Sequence, residues 1–351
     1  MTSVPLWQIN PNREFSRKGS MRMQAIIYTK YGPPDVLELK DVSKPTPKDD
    51  EVLIKVHAAG ANAGDWHLLR GTPFPVRLMF GLRQPKHQIL GSAVAGTVEA
   101  VGSGVTKLRP GDAVFGDISE NGFGAYAEYV AAPETVFALK PANLSFEEAA
   151  AVPVSATTAL NGLRDKGEIQ PGKKVLINGA SGGVGSFAVQ IAKYFEAEVT
   201  AVCSSRNLEL VRSLGADRAI DYTKEDFTQS GERYDLILGI SGYHPITAYK
   251  RALNPGGIYV SIGGDGKQMF QSLFLGPWLS MIGDRKIRSL LSQPNQADLN
   301  FVKDLLESGK IKPVIDRRYS LSEVPEALGY LEAGHARGKV VITVNHDHSD
   351  R

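Results

Sequence analysis

The sequence predicts an α/β chain of two domains, one rich in short β-strands and one built on a doubly wound parallel sheet. Three observations predict it. From Gln24 to about Leu144, short strand-like runs alternate with Gly and Pro turns. From Val175 the pattern becomes strand, helix, strand, repeated. A glycine cluster, Gly179-Ala180-Ser181-Gly182-Gly183-Val184-Gly185, stands where the first strand of that second pattern meets its helix. At 351 residues the chain is long enough for two cores.

The elements follow in order. The first pattern holds QAIIYT, VLELKDV, EVLIKVHAAG, AVAGTVEAVG, DAVFGD and AYAEYVAA, broken at Gly32-Pro33-Pro34, Pro45-Thr46-Pro47 and Pro110-Gly111-Asp112, the spacing of a small barrel or sandwich. Ser145-Phe146-Glu147-Glu148 reads as a helix cap with an acidic first turn, and Pro153 should interrupt or end the Ala-rich helix it starts. Then come VLIN, a helix from Gly183 to about Phe195, VTAVC, the helix NLELVRSLG, AID, YDLILGI, the helix ITAYKRAL and IYVSIGG. After Asn300 the chain reads FVKDLLESG, PVIDRRYSL, a helix from Val324 to about Glu332, and KVVITV. Spacing leaves open whether this tail extends the parallel sheet or returns to the first domain.

Composition excludes several classes. With 42% hydrophobic and 22% charged residues the chain can bury a core and is neither disordered nor collagenous. Forty Lys and Arg against 38 Asp and Glu leave +2 without a block of like charge, so nucleic acid is not an expected partner. One cysteine, Cys203, excludes an intramolecular disulfide and any multi-cysteine zinc site. No apolar run reaches the roughly 18 residues of a spanning helix. The first residues carry no apolar core with a cleavage site, so a cytoplasmic protein is expected, with residues 1–22 as a flexible tail.

The glycine cluster carries the chemistry. A dinucleotide pyrophosphate binds where a strand ends and a helix begins, because glycines let the backbone approach and the helix N-terminus presents unpaired N–H groups. Ser181, Gly182, Gly183, Val184 and Gly185 are the candidates. About 20 residues further on, where an acid would bind the ribose hydroxyls of NADH, the chain reads Ser204-Ser205-Arg206-Asn207. Hydroxyls and a guanidinium suit a 2′-phosphate, so the expected cofactor is NADPH. The plain alternative is that the serines only cap the following helix and Arg206 is solvated.

With these residues in hand the chain resembles the medium-chain dehydrogenase/reductase superfamily over residues 23–345, and within it the zinc-independent quinone oxidoreductase, or zeta-crystallin-like, subfamily. The resemblance is carried by Gly172 to Gly185 with Gln190 and Lys193, by Asn62 to Gly71, by Gly91 to Gly102 and by His335 to Val340. It implies a GroES-like β-rich catalytic domain, residues 23–145 and 300–351, split by a Rossmann NADPH-binding domain, residues 146–299. Where the zinc alcohol dehydrogenases of the same superfamily have their ligands, this chain has Asn62, the Gly91-Ser92-Ala93 stretch and Pro153 or Val154. An amide, a hydroxyl and an aliphatic do not replace thiolate and imidazole donors, so no metal is expected.

The resemblance also implies roles. Asn62 would lie at the substrate end of the cleft, and His67 is a candidate proton donor. Thr158 would stand near the nicotinamide, Tyr222 beside the adenosine phosphate with Ser204, Ser205 and Arg206, and Ser241 and Gly242 along a cofactor ribose. Gly263 and Gly264 would stand near the nicotinamide, and Lys339 would return to the cofactor. Each has a structural alternative: a helix residue for Thr158, a half-buried loop aromatic for Tyr222, a solvated strand start for Lys339. The subfamily commonly reads Gly-x-Asp where this chain has Gly91-Ser92-Ala93, so a polar group near the cleft is missing.

The expected function is hydride transfer from NADPH to a quinone or an α,β-unsaturated carbonyl, a small-molecule electrophile whose developing charge spreads and needs only a few hydrogen-bond donors. Two alternatives stand beside it: an NAD(P)-dependent alcohol or aldehyde dehydrogenase, and a non-catalytic NADPH-binding module. A homodimer is expected. The apolar stretch 269–282, followed by Arg285, Lys286 and Arg288, should pack on the cleft or on a second subunit, with a substrate-channel wall or a membrane surface as the sharper alternative.

Overall fold

In the computed structural model, which describes residues 21–242, 244–263, 268, 271–272, 274–281, 283–290 and 293–346, the two sequence patterns form separate sheets. β1 (Arg22–Ile27) and β2 (Glu38–Ser43) make an antiparallel pair. β3 (Glu51–Ala61), β4 (Ala93–Val101), β5 (Ala113–Asp117), β6 (Tyr129–Pro133) and β7 (Phe137–Leu139) build the first large sheet. β3 is its spine. Both faces of β3 are covered, which is why it reads as a nearly continuous apolar run: Val52, Ile54 and Val56 pack with Leu69, Val94 and Phe137, while Ala58 meets a second cluster with Phe115 and Ala150. Each such fully buried Val or Ile contributes about 1.5 to 3 kcal/mol. At the end of β3 the chain turns into α1 (Ala63–Arg70), followed by α2 (Pro75–Phe80).

The second sheet has six strands, all parallel: β8 (Lys174–Asn178), β9 (Glu198–Cys203), β10 (Arg218–Asp221), β11 (Tyr234–Gly239), β12 (Leu253–Ser261) and β13 (Lys286–Ser289). Their order is β10-β9-β8-β11-β12-β13, so the direction of winding reverses between β8 and β11. A crevice opens at that reversal, beyond the C-terminal strand ends. β14 (Ile315–Ser320) and β15 (Lys339–Thr343) settle the tail: β15 pairs antiparallel with β3, Val340 opposite Ala61, and β14 lies outside it. The last strand therefore runs beside the strand that leads into α1.

Ser145 caps α3 (Phe146–Ala150), accepting from Glu148 N, and the helical run is interrupted before Pro153, which opens α4 (Pro153–Leu160). Its missing N–H is one the first helical turn leaves unpaired anyway. Arg22 already belongs to β1, so the strand cuts into the supposed tail, whose residues 1–20 lie outside the described residues. β13 was not foreseen. It places Arg288 where its guanidinium bonds Lys166 O and the Glu168 carboxylate, both at 2.6 Å, so one of the basic residues that suggested a lipid surface is tied to its own domain.

Of the apolar stretch 269–282, residues 269, 270, 273 and 282 lie outside the described residues. Among the rest, Phe274, Trp278 and Met281 are 61%, 60% and 83% exposed. Among the described residues no helix is long and apolar enough to cross a membrane.

Candidate active site

The glycine loop lies at the reversal point. α5 (Gly183–Tyr194) starts within it, with Gly182 as N-cap, and helix geometry leaves the N–H groups of Gly183, Val184 and Gly185 without intrahelical acceptors. The glycines are required in different ways. Gly179 has φ +91°, and a Cβ there would stand 2.7 Å from the Ser241 Cβ, so β8 and β11 end in contact. A Cβ on Gly185 would stand 2.1 Å from Gly179 O. At Gly263 it would meet Ile240 O at 2.7 Å, which holds the end of β12 against that of β11. Gly264 lies outside the described residues.

The residues expected at the adenosine end come together at strand tips. Tyr222 N donates to Cys203 O at 3.1 Å, which brings the exposed Tyr222 ring to the Ser204-Ser205-Arg206 turn. Arg206 is not simply solvated. Its guanidinium donates to His335 O at 2.9 Å, and Arg337 donates to Arg206 O at 3.2 Å, so the His335 to Val340 motif clasps the tip of β9. A cavity of about 500 Å³ opens between Gly179, Tyr222, Asp226, Phe227, Ser241 and His244, with Gly242 also on its wall. Asn207, 4% exposed, donates to Ser181 Oγ at 2.9 Å and so ties the glycine loop to this turn. Among the described residues its Oδ1 is buried without a partner. Close backbone approach, unpaired helix N–H groups and an adjoining cavity are features that suit a dinucleotide.

An acid does stand near this end. Parallel pairing sets Asp221 beside Cys203, and the Ser205 hydroxyl donates to its carboxylate. Thr223 adds a hydroxyl at 2.7 Å and an N–H at 3.1 Å, and Lys224 lies 3.6 Å away. The Ser205 bond is the largest cause holding the Asp221 carboxyl down at about 2. Strand pairing, and not the run of β9 itself, brings it here.

The residues expected at the substrate end form a buried polar cluster. Lys339, 3% exposed, donates from Nζ to Asn62 Oδ1 at 2.6 Å and to Ala61 O at 2.9 Å. Its stem also lies on the phosphate loop, since a Cβ on Gly183 would stand 2.8 Å from Lys339 Cδ. Lys339 is therefore not a solvated strand start, and it links Asn62 to α5. Asn62 caps α1, with its backbone N–H donating to the Asp65 carboxylate at 2.8 Å and its Nδ2 to Gly60 O at 2.9 Å. Asp65, 2% exposed, also accepts from the buried Tyr126 hydroxyl at 2.8 Å. The polar group thought missing near Gly91-Ser92-Ala93 comes from the next strand, where Asp117 pairs with Ala93, and burial pushes its carboxyl up.

A metal does not fit here. A cation at Asn62 would meet the Lys339 ammonium, and among the described residues no group of three or more His, Cys, Asp or Glu is placed to hold one. His67 is not brought into the cluster. It stands in the last turn of α1, its ring stacked on Trp66 at 3.6 Å between centroids and its Nδ1 donating to Thr72 O at 2.9 Å. Thr158 is half-buried on α4; Ser155 on the same helix, which the sequence did not flag, approaches Gly183, its Oγ 3.4 Å from where a Cβ there would stand.

The cluster makes a testable statement about pH. Burial pushes the Asp65 carboxyl up to about 6, against the Asn62 N–H, the Tyr126 hydroxyl and Lys339. The native state thus keeps a proton that the unfolded carboxyl releases near pH 4. That contribution is present below the unfolded value and is lost as pH rises through about 6. Between about pH 4 and about pH 7 the wild type should lose about 2 to 3 kcal/mol relative to Asp65→Asn. Urea denaturation of both proteins across that range measures it; a constant difference contradicts it.

Comparison with known proteins agrees with this geometry. The family model described as alcohol dehydrogenase GroES-like domain matches residues 48–142, and the one described as zinc-binding dehydrogenase matches residues 214–342. The 2-methylene-furan-3-one reductase of Solanum lycopersicum is 39% identical over 331 residues, 91% of this chain and 79% of that protein. The chloroplastic NADPH-dependent alkenal/one oxidoreductase of Arabidopsis thaliana is 37% identical with the same coverage of both chains. Among solved structures, the quinone oxidoreductase from Coxiella burnetii superposes with a TM-score of 0.82 at 32% identity, covering 93% of this chain and 100% of that one.

Proposed function

Because this chain belongs to the quinone oxidoreductase and alkenal reductase branch of the medium-chain dehydrogenase/reductase superfamily, we propose that it reduces a conjugated carbonyl or a quinone with NADPH and without a metal ion. The observation that carries the reading is the Asn62 carboxamide held by a buried ammonium against the phosphate loop. NADPH, when bound, supplies the hydride.

The chain's own residues do the rest. The N–H groups of Gly183, Val184 and Gly185 hold the pyrophosphate at the positive end of α5. Ser204, Ser205 and Arg206 receive the 2′-phosphate, and Tyr222, Ser241 and Gly242 line the adenosine cavity. Thr158 and Gly263 stand on the nicotinamide side, with Lys339 closing over the loop. Asn62 donates from Nδ2 to the substrate's carbonyl oxygen, where charge develops as the carbon–carbon double bond is reduced. Because the carbonyl is conjugated, that charge is spread, and a neutral donor suffices where an isolated ketone would call for a stronger one. The proton that completes the product comes from solvent, since the ring of His67 is engaged at the far end of α1.

NADPH oxidation with an alkenal and with phenanthrenequinone, after dialysis against a chelator, tests this reading. Turnover of both acceptors is expected. Oxidation of alcohols with NAD+ that is lost on chelation would favour the alcohol dehydrogenase alternative, and NADPH binding without any turnover the non-catalytic module. We propose the cytoplasm as its compartment and a homodimer as its assembly; cell fractionation and light scattering test these.

A further inference from the structure

Lys339 is a buried cation without a counter-charge in contact. Among the described residues it makes no ion pair. The charged groups that face it, Asp65 from α1 and Asp117 from β5, act at longer range. An ammonium so placed is costly to bury, and an aliphatic side chain would fill the same space at less cost. What the lysine does instead is settle an ambiguity. A carboxamide can present either its oxygen or its NH2 group in a given direction. With Oδ1 accepting from Lys339 and Nδ2 donating to Gly60 O, the Asn62 amide has one orientation that satisfies both bonds, and it leaves one Nδ2 hydrogen unused.

We propose that Lys339 is a positioning residue for the reduction: through its bond to Oδ1 it locks the Asn62 carboxamide so that NH2, and not oxygen, is offered to the substrate's carbonyl oxygen. This rests on the reading above that Asn62 stands at the substrate end of the cleft. A flipped amide would turn a lone pair toward the developing negative charge and repel it. The Asp65 carboxylate fixes the backbone of the same residue through the Asn62 N–H, so main chain and side chain are each held by a separate buried group. Burial pushes the Lys339 ammonium down to about 8, against the pull of Asp65 and Asp117. Above about pH 8 the neutral amine can accept as well as donate, and Lys339 no longer selects one orientation of the amide.

The test is a double-mutant cycle on kcat at saturating NADPH, using Lys339→Met, Asn62→Ala and the pair in the full chain. Lys339→Met should lower kcat about 10- to 100-fold. In the Asn62→Ala background it should lower it by less than about twofold, because the group it positions is gone. Wild-type kcat should also fall above about pH 8, and that fall should be absent from Asn62→Ala. An equal loss of kcat in both backgrounds, or a change confined to the KM for NADPH, overturns the proposal and makes Lys339 a cofactor ligand alone.

A second readout needs neither substrate nor a folded Lys339→Met. The Asn62 side-chain 15N–1H signal, identified by its absence in Asn62→Ala, should move in the wild type as Lys339 titrates. A signal unmoved across that titration overturns the proposal. A wild type that reduces no acceptor overturns the functional reading, and the titration still decides the lock.

Discussion

Replacing Gly185 by alanine should weaken NADPH binding by at least about two orders of magnitude and lower the melting temperature. The new Cβ would lie 2.1 Å from Gly179 O and 2.7 Å from Ala180 Cα and C, all backbone atoms that cannot swing aside. α5 must then back away from the end of β8, carrying with it the N–H groups proposed to hold the pyrophosphate. Two charge-assisted hydrogen bonds, at about 1.5 to 3 kcal/mol each, are worth two or more orders of magnitude in affinity. Gly182→Ala supplies the contrast. Gly182 is extended at φ −81°, and its nearest neighbour to a new Cβ is 3.6 Å away, so this variant should melt like the wild type. Fluorescence titration with NADPH and thermal melts of both variants decide the matter. Wild-type affinity in Gly185→Ala would show that close helix approach is not what binds the cofactor.

Arg206→Glu should lower NADPH affinity by about one to two orders of magnitude and leave NADH affinity within about threefold of the wild type. A charge-assisted bond of about 1.5 to 3 kcal/mol gives way to repulsion of the 2′-phosphate, which NADH lacks. The neighbourhood sharpens the effect. Asp221 already places one carboxylate beside Ser205, balanced by Lys224 at 3.6 Å. A second acid in place of Arg206 would leave the tip of β9 with the wrong sign. Parallel titrations with NADPH and NADH check this, and equal losses for both would move the selectivity away from Arg206.

Much of this architecture was legible in the sequence because its signals are local. The glycine loop, the Ser145 cap with its acidic first turn, and the alternation of strands and helices after Val175 are patterns over a few residues. β13 was not legible, since Lys-Ile-Arg-Ser is a four-residue edge strand with two basic side chains and no apolar period. The acids were hidden for a different reason. Asp117 and Asp221 reach the site through strand pairing, opposite Ala93 and Cys203, and nothing along the chain announces a register.

Asn62 and Lys339 lie 277 positions apart and were each suggested by likeness to a family, yet their mutual bond follows only from β15 lying against β3. The orphaned oxygen of Asn207 and the cavity wall formed by Phe227 and His244 likewise exist only once the strand tips converge. His67 shows the opposite failure. It sits in a recognisable motif, and its ring is turned to Thr72.

Where the hydride lands is the most direct measurement of the central claim. With an alkenal as acceptor and NADPH deuterated at the transferring position of the nicotinamide, the product's NMR spectrum locates the label. Deuterium on the β-carbon, in protein freed of metal, is the expected result. Deuterium on the carbonyl carbon, or transfer only after a metal ion is restored, would contradict it.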